Sequence, residues 1–292
     1  IFASIMDLSI IIPSYNTKAL LERCLSSIVT SLKEAGFSYE VIVVDNASKD
    51  GTRELLNSKY PRVRTIFNNI NMGYSRSNNR AIKESKGTYI LLLNSDTVAL
   101  KDGIEQLFLH CKNHPKAFAG GKLLNEDLSP QPSCGPFYTL PVVALMLFAK
   151  GDYRGATRCS PNDTQRVDWV SGACLMGQKS SFLDVGLFDE SIFMYMEDIE
   201  FLYRARKKGY VAFFYPSAQF IHTGAASSGD RRTPVVNIYR GLRYFYKKHR
   251  RPRALSILRA MLWVKALLAM QMGRMIGRRD MVQIYEEALS IP

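Results

Sequence analysis

Residues 41–52 read VIVVDNASKDGT. Four apolar, mostly β-branched residues in a row are too few for a helix and too uniformly apolar for a half-exposed strand. The run therefore reads as a strand buried on both faces. The polar DNASKDGT that follows is turn chemistry leading into a helix. The same grammar recurs at LSIII (8–12), at 63–67 and at YILLL (89–93), with helical spacing between them at 19–32, 52–58 and 75–85. Alternation of this kind predicts an α/β fold: a Rossmann-like, mostly parallel central sheet with flanking helices. Ligands of such sheets bind beyond the carboxyl ends of the strands. PSYN (13–16), DNASKDGT (45–52) and NSDT (94–97) are therefore the segments to inspect.

Asp45 follows its strand directly, where a carboxylate can accept hydrogen bonds from a base N–H or a ribose hydroxyl. The plainer alternative, a helix cap, suits Asp50 better, just before Thr52. Asn94, Ser95 and Asp96 hold the corresponding place after YILLL, where two side chains at i and i+2 reach one diphosphate and one cation. Taken alone the triplet is also an ordinary turn. Glu197 and Asp198 stand in FMYMEDIEF, and acids at a helix start commonly just favour the helix dipole. The aromatic and apolar residues before them argue for partial desolvation, which raises a carboxyl pKa and suits a general base. His222 ends a strand-like run, as a core-edge histidine or a metal ligand.

Elsewhere the sequence predicts loops over 130–168 around an apolar piece at 141–149. It predicts strands at 169–176, 211–215 and 218–222, and helices at 197–208, 236–248 and 254–278. Five cysteines without a CxxC pair fit neither a disulfide framework nor a zinc site and suit a reducing compartment. Residues 1–7 lack the basic region of a signal peptide. The longest apolar stretch, 260–273, is broken by Lys265 and short for a membrane span.

The ordered set SIIIPSYN (9–16), VIVVDNASKDGT (41–52), NMGYSRSNNRAI (71–82), YILLLNSDT (89–97), WVSGACLMG (169–177), the segment 185–210 and IHTGAASS (221–228) resembles family 2 glycosyltransferases. The bacterial rhamnosyltransferase-like branch is the nearest in pattern. The resemblance implies a GT-A fold and a metal-dependent, inverting transfer from a nucleotide-diphosphate sugar. It matches Pro13, Ser14, Tyr15 and Asn16 to a nucleotide-contacting loop, Asp45 to the base-binding acid with Asn46 beside it, and Asn94-Ser95-Asp96 to the DxD motif. Asn replaces the first Asp of that motif, which leaves Asp96 as the main metal ligand. Asp198 matches the catalytic base, Glu197 its acceptor-binding neighbour, and His222 a late metal or diphosphate contact. Trp169, Ser171 and Gly172 match the strand lining the sugar pocket. The implied cofactor is Mn²⁺ or Mg²⁺, and an imidazole ligand tilts toward Mn²⁺. The implied acceptor is a glycan or a polyprenyl-pyrophosphate-linked glycan of cell-surface polysaccharide synthesis, with dTDP-rhamnose the expected donor. A UDP-hexose transferase of the same fold and a catalytically silent nucleotide-sugar binder are the alternatives.

The charge is uneven. Of the net +13, residues 231–292 carry +11 and residues 1–230 only +2. We expect a catalytic domain over 1–230 and a basic helical extension over 231–292. At 100° per residue Arg253, Ser256, Arg259, Gln271, Arg274 and Arg278 fall in one polar third, with Leu255, Leu258, Leu262, Trp263, Leu267, Leu268 and Met270 mostly outside it. Such a helix suits an anionic headgroup layer, so the expected place is the cytoplasmic membrane face, held peripherally. A homodimer is the alternative, and no nucleic-acid partner is expected.

Overall fold

The buried runs assemble side by side because each can satisfy its backbone only against another strand. The structure, a computed structural model, describes residues 6–224 and 232–291. The N-terminal half runs β1 (Met6–Ser14), α1 (Lys18–Ser31), β2 (Tyr39–Asp45), α2 (Thr52–Lys59), β3 (Arg64–Phe67), α3 (Gly73–Glu84), β4 (Gly87–Leu93), β5 (Thr97–Ala99), α4 (Gly103–Asn113) and β6 (Ala117–Leu124). There follow β7 (Pro130–Gln131), β8 (Cys134–Gly135), α5 (Leu140–Phe148), β9 (Gln165–Val167), β10 (Trp169–Val170), β11 (Cys174–Gln178), α6 (Lys179–Val185), α7 (Glu197–Lys207) and β12 (Val211–His222). Helices α8 (Arg232–His249), α9 (Pro252–Met275) and α10 (Arg279–Ser290) complete the described chain.

The main sheet has the order β3-β2-β1-β4-β11-β6-β12-β5, and its first four strands are parallel. β11 enters antiparallel between β4 and β6. Ser14 stands opposite Asp45, and Ile11 opposite Leu92, so the loops after β1, β2 and β4 leave the sheet at one edge. Side chains alternate between two cores, as strand geometry requires. Ile10, Val43 and Leu91 face the layer of α1 and α4, whereas Ile11, Ile42 and Leu92 face the layer that includes α7, α8 and α9.

Several elements differ from the sequence expectation. The strand expected at 169–176 is two, because the chain turns away at Ser171–Gly172–Ala173 and β10 pairs with β8 instead of the main sheet. The two strands expected at 211–222 are one, β12. Its pairing with β6 slips between Tyr215 and Gln219, around Pro216, which has no N–H to donate. The apolar 141–149 piece is helix α5, with Val143 and Leu147 buried. The last long helix stops at Met275, Gly277 adopts a left-handed φ of 71°, and α10 follows. All five thiols are free, with the Cys134 and Cys159 sulfurs 3.5 Å apart.

The split expected at residue 230 is one of charge. Tyr239, Leu242, Phe245 and Tyr246 of α8 belong to the same core as Trp169 and Phe201, and the Tyr246 hydroxyl donates to the Tyr138 carbonyl at 2.9 Å. Lys248 and His249 both donate to Glu200, whose carboxylate is fully buried against Arg204. Residues 225–231, which include the expected boundary, and residues 1–5 lie outside the described residues.

Helix α9 has two apolar faces. Leu258, Leu262, Ala266, Ala269, Met270 and Gly273 are buried, while Ile257, Trp263, Val264, Leu268, Met272 and Met275 are exposed. Arg253, Ser256, Arg259, Gln271 and Arg274 are exposed beside them. At 24 residues α9 is long and apolar enough to cross a membrane by length and composition. Its inner face is instead packed into the protein core.

Candidate active site

The loops at the strand ends border a cavity of about 670 Å³. Pro13, Ser14, Tyr15, Asn46, Asn94, Ser95, Asp96, Trp169, Ser171, Gly172, Glu197, Asp198 and His222 all line it. Of the residues singled out from sequence, Asn16 and Asp45 do not. Asp45 is buried with Oδ1 facing the Ser48 N–H at 3.4 Å, and Asn16 accepts from the Lys49 N–H at 2.8 Å. Asp50 caps: its carboxylate accepts from the Thr52 N–H and hydroxyl and from the Lys18 N–H. A second cavity, of about 500 Å³, lies between β9, β12 and α7 away from these strand ends, and its Asp168 and Arg206 are paired with each other.

Hydroxyls tie the first loop to the third. Thr17 Oγ1 is 3.0 Å from Ser14 Oγ and 2.9 Å from Ser95 Oγ, all buried. Asn46 Oδ1 accepts from Asn68 and Ser77, which leaves its amide nitrogen to the cavity side.

Asp96 Oδ1 lies 3.4 Å from His222 Nε2, and Asp96 Oδ2 accepts from the Gly224 N–H at 3.1 Å. The Gln131 amide nitrogen donates to the Asn125 side chain and to the His222 carbonyl, so its oxygen is an acceptor toward His222 Nδ1 at 2.6 Å. His222 Nδ1 therefore carries a proton, and Nε2 is the ring nitrogen that faces Asp96. Burial would raise the Asp96 pKa, but His222 and the backbone N–H groups hold it below the usual value. A carboxylate and an imidazole nitrogen side by side at the cavity wall are ligand types that suit a divalent ion completed by phosphate oxygens. Asn94 Nδ2 is 3.4 Å from the same imidazole nitrogen. Among the described residues no cluster of three or more His, Cys, Asp or Glu side chains forms a metal site by itself.

Glu197 is buried and Asp198 half-buried at the cavity wall, and desolvation raises both carboxyls. Their hydrogen bonding differs. Asp198 accepts from the Gly172 N–H at 3.0 Å and from the Ile199 N–H at 2.8 Å, whereas Glu197 Oε2 is buried without a partner. Bonds to N–H groups favour the ionised form, so Asp198 is the carboxylate and Glu197 keeps the proton. The turn presenting them is strained: Tyr195 and Met196 have φ of 67° and 74°. Gly241 of α8 packs so closely that a Cβ there would meet Met196 Cγ at 2.6 Å. From the other side the Tyr74 N–H donates to the Phe193 carbonyl at 2.9 Å.

The family model for Glycosyl transferase family 2 matches residues 9–131. N-acetylglucosaminyl-diphospho-decaprenol L-rhamnosyltransferase of Mycobacterium tuberculosis is 30% identical over 251 residues, covering 79% of this chain and 80% of that protein. The chain belongs to glycosyltransferase family 2. Low-salt glycan biosynthesis hexosyltransferase Agl10 of Haloferax volcanii is 30% identical over 206 residues, covering 69% of this chain and 62% of that one. Among solved structures, GalNAc-T7 with UDP, GalNAc and Mn²⁺ superposes with a TM-score of 0.57 at 16% identity, over 83% of this chain and 50% of that one. The fold is thus GT-A, and this glycosyltransferase carries its helical segment after the GT-A sheet.

Tyr74, Tyr138 and Arg158 also line the cavity. Sequence reasoning missed their roles. Tyr74 lies inside the quoted NMGYSRSNNRAI stretch, while Arg158 lies in an aperiodic segment that offers no positional signal.

Proposed function

We propose that this glycosyltransferase moves a sugar, with inversion, from a nucleotide-diphosphate donor to a hydroxyl of a lipid-diphosphate-linked glycan. The reading takes L-rhamnose as the sugar, as in the mycobacterial relative's name, and dTDP-rhamnose as its donor, as the family resemblance implies. The observation that carries it is a hydrogen-bonded carboxylate, Asp198, lining one cavity with the Asp96–His222 pair. Asp198 accepts the acceptor hydroxyl's proton as that oxygen bonds the anomeric carbon and the nucleoside diphosphate departs from the opposite face. Glu197, kept protonated, can donate a hydrogen bond to the acceptor. Ser14, Tyr15 and Asn46 face the nucleotide. Asp96 and His222 would hold a divalent cation, Mn²⁺ or Mg²⁺, which when bound offsets the charge on the leaving diphosphate.

The exposed stripe of α9, flanked by arginines, meets an anionic membrane at the cytoplasmic face, where a lipid-linked acceptor would lie. Radiolabelled dTDP-rhamnose and a panel of UDP-sugars, each offered with N-acetylglucosaminyl diphospholipid and Mn²⁺, test the reading. Transfer from dTDP-rhamnose supports it. Transfer from a UDP-sugar alone replaces the donor, and donor turnover nowhere in the panel removes the activity.

A further inference from the structure

Arg158 lines the cavity, yet the family resemblance assigns it nothing. Its position is built. Thr157, fully buried, gives its hydroxyl to Asp152, the carboxylate of the same loop that shares the cavity. Cys159 exchanges backbone hydrogen bonds with Cys134, at 2.8 and 3.2 Å. A Cβ on Gly135 would come within 2.4 Å of the Thr157 carbonyl oxygen, so the loop sits hard against β8. Both neighbours of Arg158 are thereby fixed, and its guanidinium lies over the Trp169 ring, 5.4 Å from the centroid.

The cation is not consumed by the protein. Arg158 Nε is buried without a hydrogen-bond partner, and among the described residues no carboxylate forms a salt bridge with it. Asp198 already has both oxygens on backbone N–H groups, and Asp152 accepts the Thr157 hydroxyl. Trp169, over whose ring the guanidinium lies, leads through Ser171 to Gly172, whose N–H holds Asp198, so Arg158 stands beside the strand that carries the base's clamp. It therefore serves the side of the base and not the side of the donor diphosphate. Met146 of α5 lines the same cavity, and the outward residues of that helix, Leu145 and Phe148, are exposed. A hydroxyl-accepting base, an unpaired guanidinium and an apolar helix around one cavity fit a sugar, a phosphate and a hydrocarbon chain.

We propose that Arg158 is a specificity-determining residue that takes the phosphate joining the acceptor sugar to its lipid. The inference rests on the acceptor class proposed above. A rigid guanidinium forks two N–H groups onto phosphate oxygens, and this loop holds it without reorganisation.

The test compares N-acetylglucosaminyl diphosphate carrying a short alkyl chain with the matched alkyl glycoside lacking the diphosphate. Wild type, Arg158→Gln and Arg158→Lys are assayed with each, after melting curves establish folding. Wild type should prefer the diphosphate acceptor, and Arg158→Gln should raise its acceptor KM about 10- to 100-fold, with donor KM and the rate on the plain glycoside nearly unchanged. Arg158→Lys should recover part of the loss. Equal loss on both acceptors, or a raised donor KM, overturns the assignment. Should wild type use neither acceptor, the functional reading falls. Calorimetric binding of geranyl diphosphate with dTDP and Mn²⁺ present then decides: binding to wild type but not to Arg158→Gln keeps the phosphate site, and equal or absent binding removes it.

Discussion

Tyr74 and Asp198 are joined through one residue. The Tyr74 hydroxyl donates to the Gly172 carbonyl at 2.6 Å, and the Gly172 N–H donates to Asp198 Oδ2 at 3.0 Å. A Cβ on Gly172 would lie 2.8 Å from the Tyr74 hydroxyl oxygen, so only glycine lets both bonds form. Tyr74→Phe should cost about 1 kcal/mol of stability for the lost buried hydrogen bond. Gly172→Ala should slow transfer about 10- to 100-fold by shifting the base a fraction of an ångström, with donor binding retained. Melting curves beside single-turnover rates check both, and full activity in Gly172→Ala would show that the base does not depend on this clamp.

Asp198→Asn preserves size and can still accept a backbone hydrogen bond. It should fold as wild type, bind donor with unchanged affinity and lose transfer about 100- to 10,000-fold, the usual range for a general base. Near-wild-type turnover would move the proton acceptor elsewhere.

The parts that sequence made legible are those whose position follows from local chemistry. PSYN and NSDT are legible because buried strands end there, and Pro13, Ser14 and Tyr15 of the first and Asn94, Ser95 and Asp96 of the second line the cavity. Asp198 stood out because aromatic residues precede it. The Gly172 clamp was not legible, since its meaning depends on Tyr74, 98 positions away. Helix α5 is apolar on nearly every side and so gives no period to detect. In α9 the residues of the polar third, Arg253, Ser256, Arg259, Gln271 and Arg274, are exposed. Periodicity cannot tell which of two apolar flanks finds a partner, and only the flank of Leu258 and Leu262 did.

Glu197 and Asp198 predict the pH profile. Transfer requires Asp198 ionised, so the rate should fall as pH drops through its raised pKa. The alkaline limb should follow loss of the Glu197 proton, with both limbs belonging to the pair. Glu197→Gln should leave the acid limb in place and abolish the alkaline one. Stability supplies a second readout. A carboxyl raised on folding binds more protons in the native state, so wild type should lose stability as pH climbs from the ordinary glutamate value toward the raised one. Glu197→Gln should keep only the part of that loss that belongs to Asp198, and superimposable profiles would place the alkaline limb on another group.

Asp96 and His222 predict a cation requirement. Chelation should stop transfer, with Mn²⁺ restoring it, and Asp96→Asn should weaken Mn²⁺ binding in calorimetry with nucleoside diphosphate present. His222→Gln should do the same less severely, because Asp96 keeps the charge. Removing Gln131, which orients the imidazole through Nδ1, should weaken the metal about 10- to 100-fold without touching it. Activity indifferent to chelation would remove the cation from this site.

Helix α9 predicts membrane binding that can be lost without unfolding. Deleting residues 231–292 would strip Tyr239, Leu242 and Phe245 from the core and so cannot isolate the surface. Leu268→Glu and Met275→Glu instead place charge on the exposed stripe, where no packing is lost. Each should keep the wild-type melting temperature and reduce flotation with anionic liposomes. Charge reversal at Arg253, Arg259 and Arg274 should weaken binding by about 1 kcal/mol per residue and flatten its salt dependence. Sedimentation provides the other arm: a dimer in wild type that dissociates in Leu268→Glu, with flotation unchanged, would assign the stripe to a second copy of the chain.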